Sequence, residues 1–95
     1  MRKPYGTIVV TTARGDVKID LLAVSHFEGK EKNTYFQMID KTVIIAIMDF
    51  EYYKKLVDEY NFFVQVNDQA IVNMHHLLSY TDKTGKVHTI PKKLN

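Results

Sequence analysis

The chain has no cysteine, no tryptophan, two prolines and four glycines. Without cysteine, neither a disulfide framework nor a thiolate metal site can be built. Gly6, Gly15, Gly29 and Gly85 stand singly, so there is no glycine-rich loop to cradle a phosphate. Long apolar stretches are missing too. Val43 to Met48 (VIIAIM) falls far short of the roughly 20 residues that cross a bilayer. The opening MRKPYGTIVV has a short apolar run that passes at once into TTARGD, which is not the pattern of a secretory signal. These absences predict a protein without membrane insertion, and the lack of cysteine agrees with a cytoplasmic location.

Catalytic signatures are equally scarce. The chain carries no His-Glu zinc helix motif and no nucleophile elbow, so neither an enzyme nor a cofactor is expected. His75 and His76, with His88, are the remaining candidates for a metal. Adjacent histidines on a strand point to opposite faces, which keeps them from sharing one ion, and no metal site is expected. A net charge of +2 is too small to announce nucleic-acid binding by itself. Its distribution is uneven: residues 83 to 95 hold Lys83, Lys86, Lys92 and Lys93 and no acidic residue, whereas Asp49, Glu51, Asp58 and Glu59 collect in mid-chain against Lys54 and Lys55.

What is present is enough for a core. With 95 residues, 45% of them hydrophobic, and with six Tyr and five Phe, the chain reads as one domain over residues 1–95. Thr7 to Thr12 (TIVVTT) is β-branched, Ala13-Arg14-Gly15-Asp16 is a turn, and Val17 to Leu21 alternates apolar with polar, which together predict a hairpin. Ala23 to Phe27 alternates again, with Val24 and His26 expected on one face and Ala23, Ser25 and Phe27 on the other. A charged connection, Glu28 to Asn33, leads to strands at Tyr35 to Ile39 and Val43 to Ile47, separated by Asp40-Lys41. At Asp49 the period changes. Phe50, Tyr53, Leu56, Val57 and Tyr60 recur every three or four residues, predicting one amphipathic helix of about three turns with Asp49 as its cap. At helical spacing Tyr53 belongs to the core stripe and Tyr52 flanks it, which favours core packing over a base-stacking surface.

After the helix the chain returns to strands at Phe62 to Val66, Ile71 to Asn73, Leu77 to Tyr80 and Val87 to Ile90. The first two are separated by a polar interruption, Asn67-Asp68-Gln69, held between apolar anchors. Strands, one helix and strands again, without alternating βα units, disfavour a parallel nucleotide-binding sheet.

The segment FFVQVNDQAIVN, with its paired phenylalanines after a short helix and its closing Asn73, resembles the LytTR DNA-binding family, whose pattern there is Phe-x-Arg-x-His-Arg-Ser-x-x-Val-Asn. Val24-Ser25-His26-Phe27-Glu28-Gly29 is similar to the family's Ile-x-Tyr-Ile-Glu-Ala-x-Gly segment, and the likeness runs along nearly the whole chain. It implies a mostly β chain with one main helix, a LytTR-like compact antiparallel β fold. It further implies a bacterial-type transcription regulator that reads the major groove of double-stranded promoter DNA through loops. Carried onto this sequence, the DNA-binding residues would be Lys30, Lys32, Asn33 and Thr34, then Asn67, Asp68 and Gln69, then Lys92 and Lys93. Asn73 would be buried and structural, its amide holding the shape of the 67–69 loop. Where the family has Arg, His, Arg and Ser, this chain has Gln65, Asn67, Asp68 and Gln69. Asn67 and Gln69 can pair with adenine edges, while Asp68 suits only a donor such as the cytosine amino group and repels phosphate. Binding would then lean on lysines for the phosphate contacts. A regulatory protein and a second copy on DNA are further expected partners. The alternative is a LytTR-fold protein-interaction module that has lost DNA reading.

Overall fold

A computed structural model describes residues 5–76, 79–82 and 84–89. Strands β1 (Thr7–Thr12) and β2 (Gly15–Asp20) form an antiparallel hairpin in which Ile8 faces Ile19 and Val10 faces Val17. A 3₁₀ turn, Leu21–Ala23, capped by the Asp20 carboxylate, swings the chain into the main sheet. That sheet has five strands: β3 (Val24–Lys30), β4 (Asn33–Met38), β5 (Val43–Ala46), β6 (Phe63–Asn67) and β7 (Ala70–Asn73). Their order is β5-β4-β3-β7-β6, with every neighbouring pair antiparallel. Helix α1 (Phe50–Val57) connects β5 to β6, and β8 (Ser79–Thr81) pairs with β9 (Val87–Thr89) as a separate hairpin. The architecture is mostly antiparallel β with a single α-helix among the described residues.

The core lies where the first hairpin and α1 meet one face of the five-stranded sheet. Val10, Ile19, Leu21, Val24, Phe27, Phe36, Tyr53, Val57 and Phe62 are buried there in one cluster. Aromatic contacts organise it. Phe27 stacks on Phe36 with ring centroids 4.8 Å apart, and Tyr53 meets Phe36 edge-on at 5.0 Å. The Tyr53 hydroxyl reaches across the core to accept the Thr11 amide hydrogen at 3.2 Å, tying α1 to β1. Its phenol is pushed up from the ordinary tyrosine range, chiefly by burial. On the opposite face of the sheet a smaller cluster buries Ala70 and Val72 among Val64, Val66 and Met74.

Three details depart from the sequence reading. Val24 does not share a face with His26. The β3–β4 register shifts between them, and this irregularity lets Val24 and Phe27 both enter the core while His26 goes to the outer face. The helix is shorter than three turns, closing at Val57 with Asp58 already in a looser turn whose amide reaches Lys55 at 3.4 Å. Tyr60 nevertheless stays buried, held by the hydrogen bond from its amide to the Val57 carbonyl. His75 and His76 occupy a turn after β7 rather than a strand. Among the described residues no group of three metal-ligating side chains forms. The expected strand residues Leu77 and Ile90, with Pro91, lie outside the described residues.

Asn73 is fully buried, but it serves a different part of the chain from the one expected. Its side-chain amide donates to the Val24 carbonyl at 2.9 Å and lies 3.5 Å from the Leu21 carbonyl, while its oxygen accepts the His75 amide hydrogen at 2.9 Å. It therefore pins the entrance of β3 to the end of β7, not the 67–69 turn. Asn73→Ala leaves these buried groups without partners and is expected to cost about 1–3 kcal/mol, read by urea denaturation. His26 provides a pH test. Burial lowers its pKa below the ordinary histidine value, against the opposing pull of Glu28. The unfolded chain then binds the proton more readily, so this contribution is full above the ordinary histidine range and is lost as pH falls through it. Thermal stability should decline from about pH 7.5 to about pH 5.5, and His26→Gln should remove part of that decline.

Candidate functional site

The sheet delivers two tight turns to the same end of the molecule. In the first, Lys30 pairs with Asn33 and the chain reverses through Glu31 and Lys32. Glu31 takes a left-handed φ of 59°, which this short reversal requires. The charged connection expected over residues 28–33 is thus mostly strand, and only its middle projects. In the second turn Asn67 pairs with Ala70, and Asp68 and Gln69 form the reversal. A register irregularity between Gln65 and Asn67 precedes it. The polar interruption is the tip of a hairpin rather than a free loop.

Side chains fix the shape of this second turn. The Asn67 oxygen accepts the Gln69 amide hydrogen at 2.8 Å, and the Gln65 side-chain amide donates to the Asn67 carbonyl at 3.0 Å. The two turns are then locked together. The Gly29 amide donates to the Gln69 carbonyl at 2.8 Å. A β-carbon at position 29 would run into the Gln69 side-chain oxygen and stand 2.7 Å from the Phe50 β-carbon. Only glycine admits both neighbours. From below, the Thr34 hydroxyl donates to the Met48 carbonyl at 3.0 Å, bracing the base of the first turn against the start of α1.

A third turn joins this end. Between β8 and β9, one oxygen of Asp82 accepts the amides of Thr84 and Lys86 at 2.9 and 3.0 Å and the Thr84 hydroxyl at 2.6 Å. Its other oxygen meets His88 Nε2 at 2.9 Å and lies 3.5 Å from the Asn67 side-chain amide. Hydrogen bonds from Thr84 and then His88 hold the Asp82 carboxyl well below the usual carboxylate range. This acid organises its own turn and sets it beside the second one through Asn67.

The expected contact residues therefore divide. Lys30, Lys32, Asp68 and Gln69 are exposed, and Asn33 and Asn67 are half-buried beside them. Thr34 requires correction: it is 0% exposed, and its hydroxyl is committed to Met48, so it supports the first turn and cannot reach a ligand. Asn67 is engaged through both ends of its amide, which makes it a shaper of the turn; the free side chains are Asp68 and Gln69. Lys92 and Lys93 lie outside the described residues, as does Lys83. Gly29 and Asp82 were missed as site residues. The Asp-x-Thr-Gly-Lys run around Asp82 signals a side-chain-capped turn, but nothing in the sequence places it beside Asn67.

No family model and no curated protein matches the chain by sequence. Among solved structures, the chain is similar to the LytTr DNA-binding domain of a protein described as a methyl-accepting/DNA response regulator from Bacillus cereus. The superposition covers 90% of this chain and 86% of that one, with a TM-score of 0.61 and 17% identity. The two share a fold.

Gly29→Ala tests the junction. The added methyl forces Gln69 or the first residue of α1 aside, and is expected to cost about 1–3 kcal/mol by chemical denaturation. In amide spectra the same variant should shift Gln69 more than Asp16, which lies at the tip of the first hairpin.

Proposed function

We propose that the protein is a sequence-specific DNA-binding transcription regulator that presents the three gathered turns to the major groove of promoter DNA. The observation that carries this reading is the Gly29–Gln69 junction, which fixes two polar tips side by side in a fold shared with a LytTr DNA-binding domain. A hairpin tip held on both flanks is preorganised, so little ordering is needed on binding.

Roles follow from chemistry. Gln69 offers an amide that can bond adenine N6 and N7 together, and Asp68 accepts from a cytosine amino group. Lys30, Lys32 and Lys86, with Lys92 and Lys93 from the carboxyl end, contact phosphates and supply the salt-dependent part of affinity. Asn33 sits at the edge of the first turn for a base or sugar contact. Asn67 keeps the turn in its reading shape. The protein works in the cytoplasm, without a catalytic step or cofactor, under the control of a regulatory protein or of pairing on DNA.

One observation favours a second reading. Glu31 and Asp68 are exposed at the very tips, and carboxylates there repel phosphate. A module that contacts a basic protein surface would use them directly.

A salt titration of binding to duplex pools separates the two. The DNA reading predicts log affinity falling linearly with log salt, with each of Lys30→Ala and Lys32→Ala lowering the slope by about 1 and weakening all sequences alike. Gln69→Ala should instead flatten discrimination between sequences, by about 1–3 kcal/mol at one base position. Absence of duplex binding at about 50 mM salt would favour the protein-contact reading.

A further inference from the structure

Asn67 opens the second turn with the two ends of its amide facing different parts of the chain. Its oxygen accepts the Gln69 amide hydrogen at 2.8 Å, and its nitrogen lies 3.5 Å from Asp82 Oδ2. These ends are not interchangeable. Rotating the amide by half a turn would set its NH2 against the Gln69 N–H and its oxygen against a carboxylate. The orientation that shapes the turn is therefore chosen from both sides, and one of those sides belongs to another hairpin.

Asp82 is suited to that task. Its Oδ1 is held by the Thr84 and Lys86 amides and by the Thr84 hydroxyl, which fixes the carboxylate in the β8–β9 turn. Oδ2 is left for His88 Nε2 and for Asn67. The Asp82 side chain is 10% exposed and that of His88 15%, so water competes little for this oxygen. Among the described residues β8 and β9 pair with each other and with no strand of the main sheet. Backbone pairing does not fix this hairpin beside the second turn, which leaves that task to side chains.

We infer that Asp82 is a positioning residue for base reading: from the third turn it sets the Asn67 amide, and through it the Gln69 tip. The inference rests on the protein being a DNA reader, and it names what governs discrimination at that tip. Asp82 itself touches no base.

The isosteric change Asp82→Asn isolates the link. The remaining oxygen keeps the Thr84 and Lys86 amides, a role asparagine fills in such turns. His88 can switch tautomer and accept from the new NH2, whereas the Asn67 NH2 has no lone pair and meets a donor. In the free protein the Gln69 amide signal should shift while thermal unfolding stays close to that of the parent. On duplex pools, discrimination at the base read by Gln69 should fall about fivefold, the low end for one base-edge pair. The salt slope should hold, because no lysine is lost.

Exchanging the partners, Asn67→Asp together with Asp82→Asn, again sets a donor against an acceptor at unchanged net charge. The carboxylate at position 67 still accepts the Gln69 amide, so both the signal and the discrimination should return. Asn67→Asp alone, which brings two carboxylates together, serves as the broken state should Asp82→Asn fail to fold. An unmoved Gln69 amide, an equal loss across all sequences, or an exchange variant that recovers neither readout would overturn the inference and leave the DNA reading standing. A parent that binds no duplex at about 50 mM salt would overturn that reading, and the inference with it.

Discussion

A missing side chain at position 29 lets two polar turns meet at one end of the molecule. Gly29 sits in β3, Gln69 at the tip between β6 and β7, and forty residues of sequence separate them. Their backbones meet at 2.8 Å because no β-carbon intervenes, and Phe50 packs against the same bare position. The sheet order makes the meeting possible, since β7 inserts next to β3 rather than after β5. The aromatic core beneath, with Phe27 between Phe36 and Phe50, keeps the helix start and both strands in place. The exposed chemistry at the tips rests on this buried geometry.

Local pattern made much of the fold legible. The β-branched run at Thr7 to Thr12, the alternation after Gly15 and the three-to-four spacing from Phe50 all correspond to observed elements. Periodicity did not show the irregularity near Ser25, because a single extra residue reverses the facing of Val24 while leaving composition unchanged. Helix length was overread for a related reason. Tyr60 continues the apolar spacing, yet it is buried from a bridge position just past a turn rather than from a helix.

The site was less legible than the fold. Lysines and polar tips can be recognised from sequence, but whether a hydroxyl or amide faces outward depends on partners far along the chain. Thr34 is the clearest case: its neighbours in sequence are polar, whereas its hydroxyl finds the Met48 carbonyl underneath. Asn67 looks like a reader and is engaged at both ends of its amide. Asn73 reads as a buried brace, and only long-range contacts reveal that it braces Val24. Two surfaces of different character result, a polar end built from turns and an apolar flank on β5, where Val43 and Ile45 are exposed.

The most direct test is amide chemical-shift mapping on adding a duplex enriched from random-sequence DNA. The account predicts perturbations concentrated at Lys30 to Asn33, Asp68 to Ala70 and Thr84 to Lys86, with Val43 to Ile47 little changed. Perturbations centred on the β5 face, or none at saturating duplex, would contradict it.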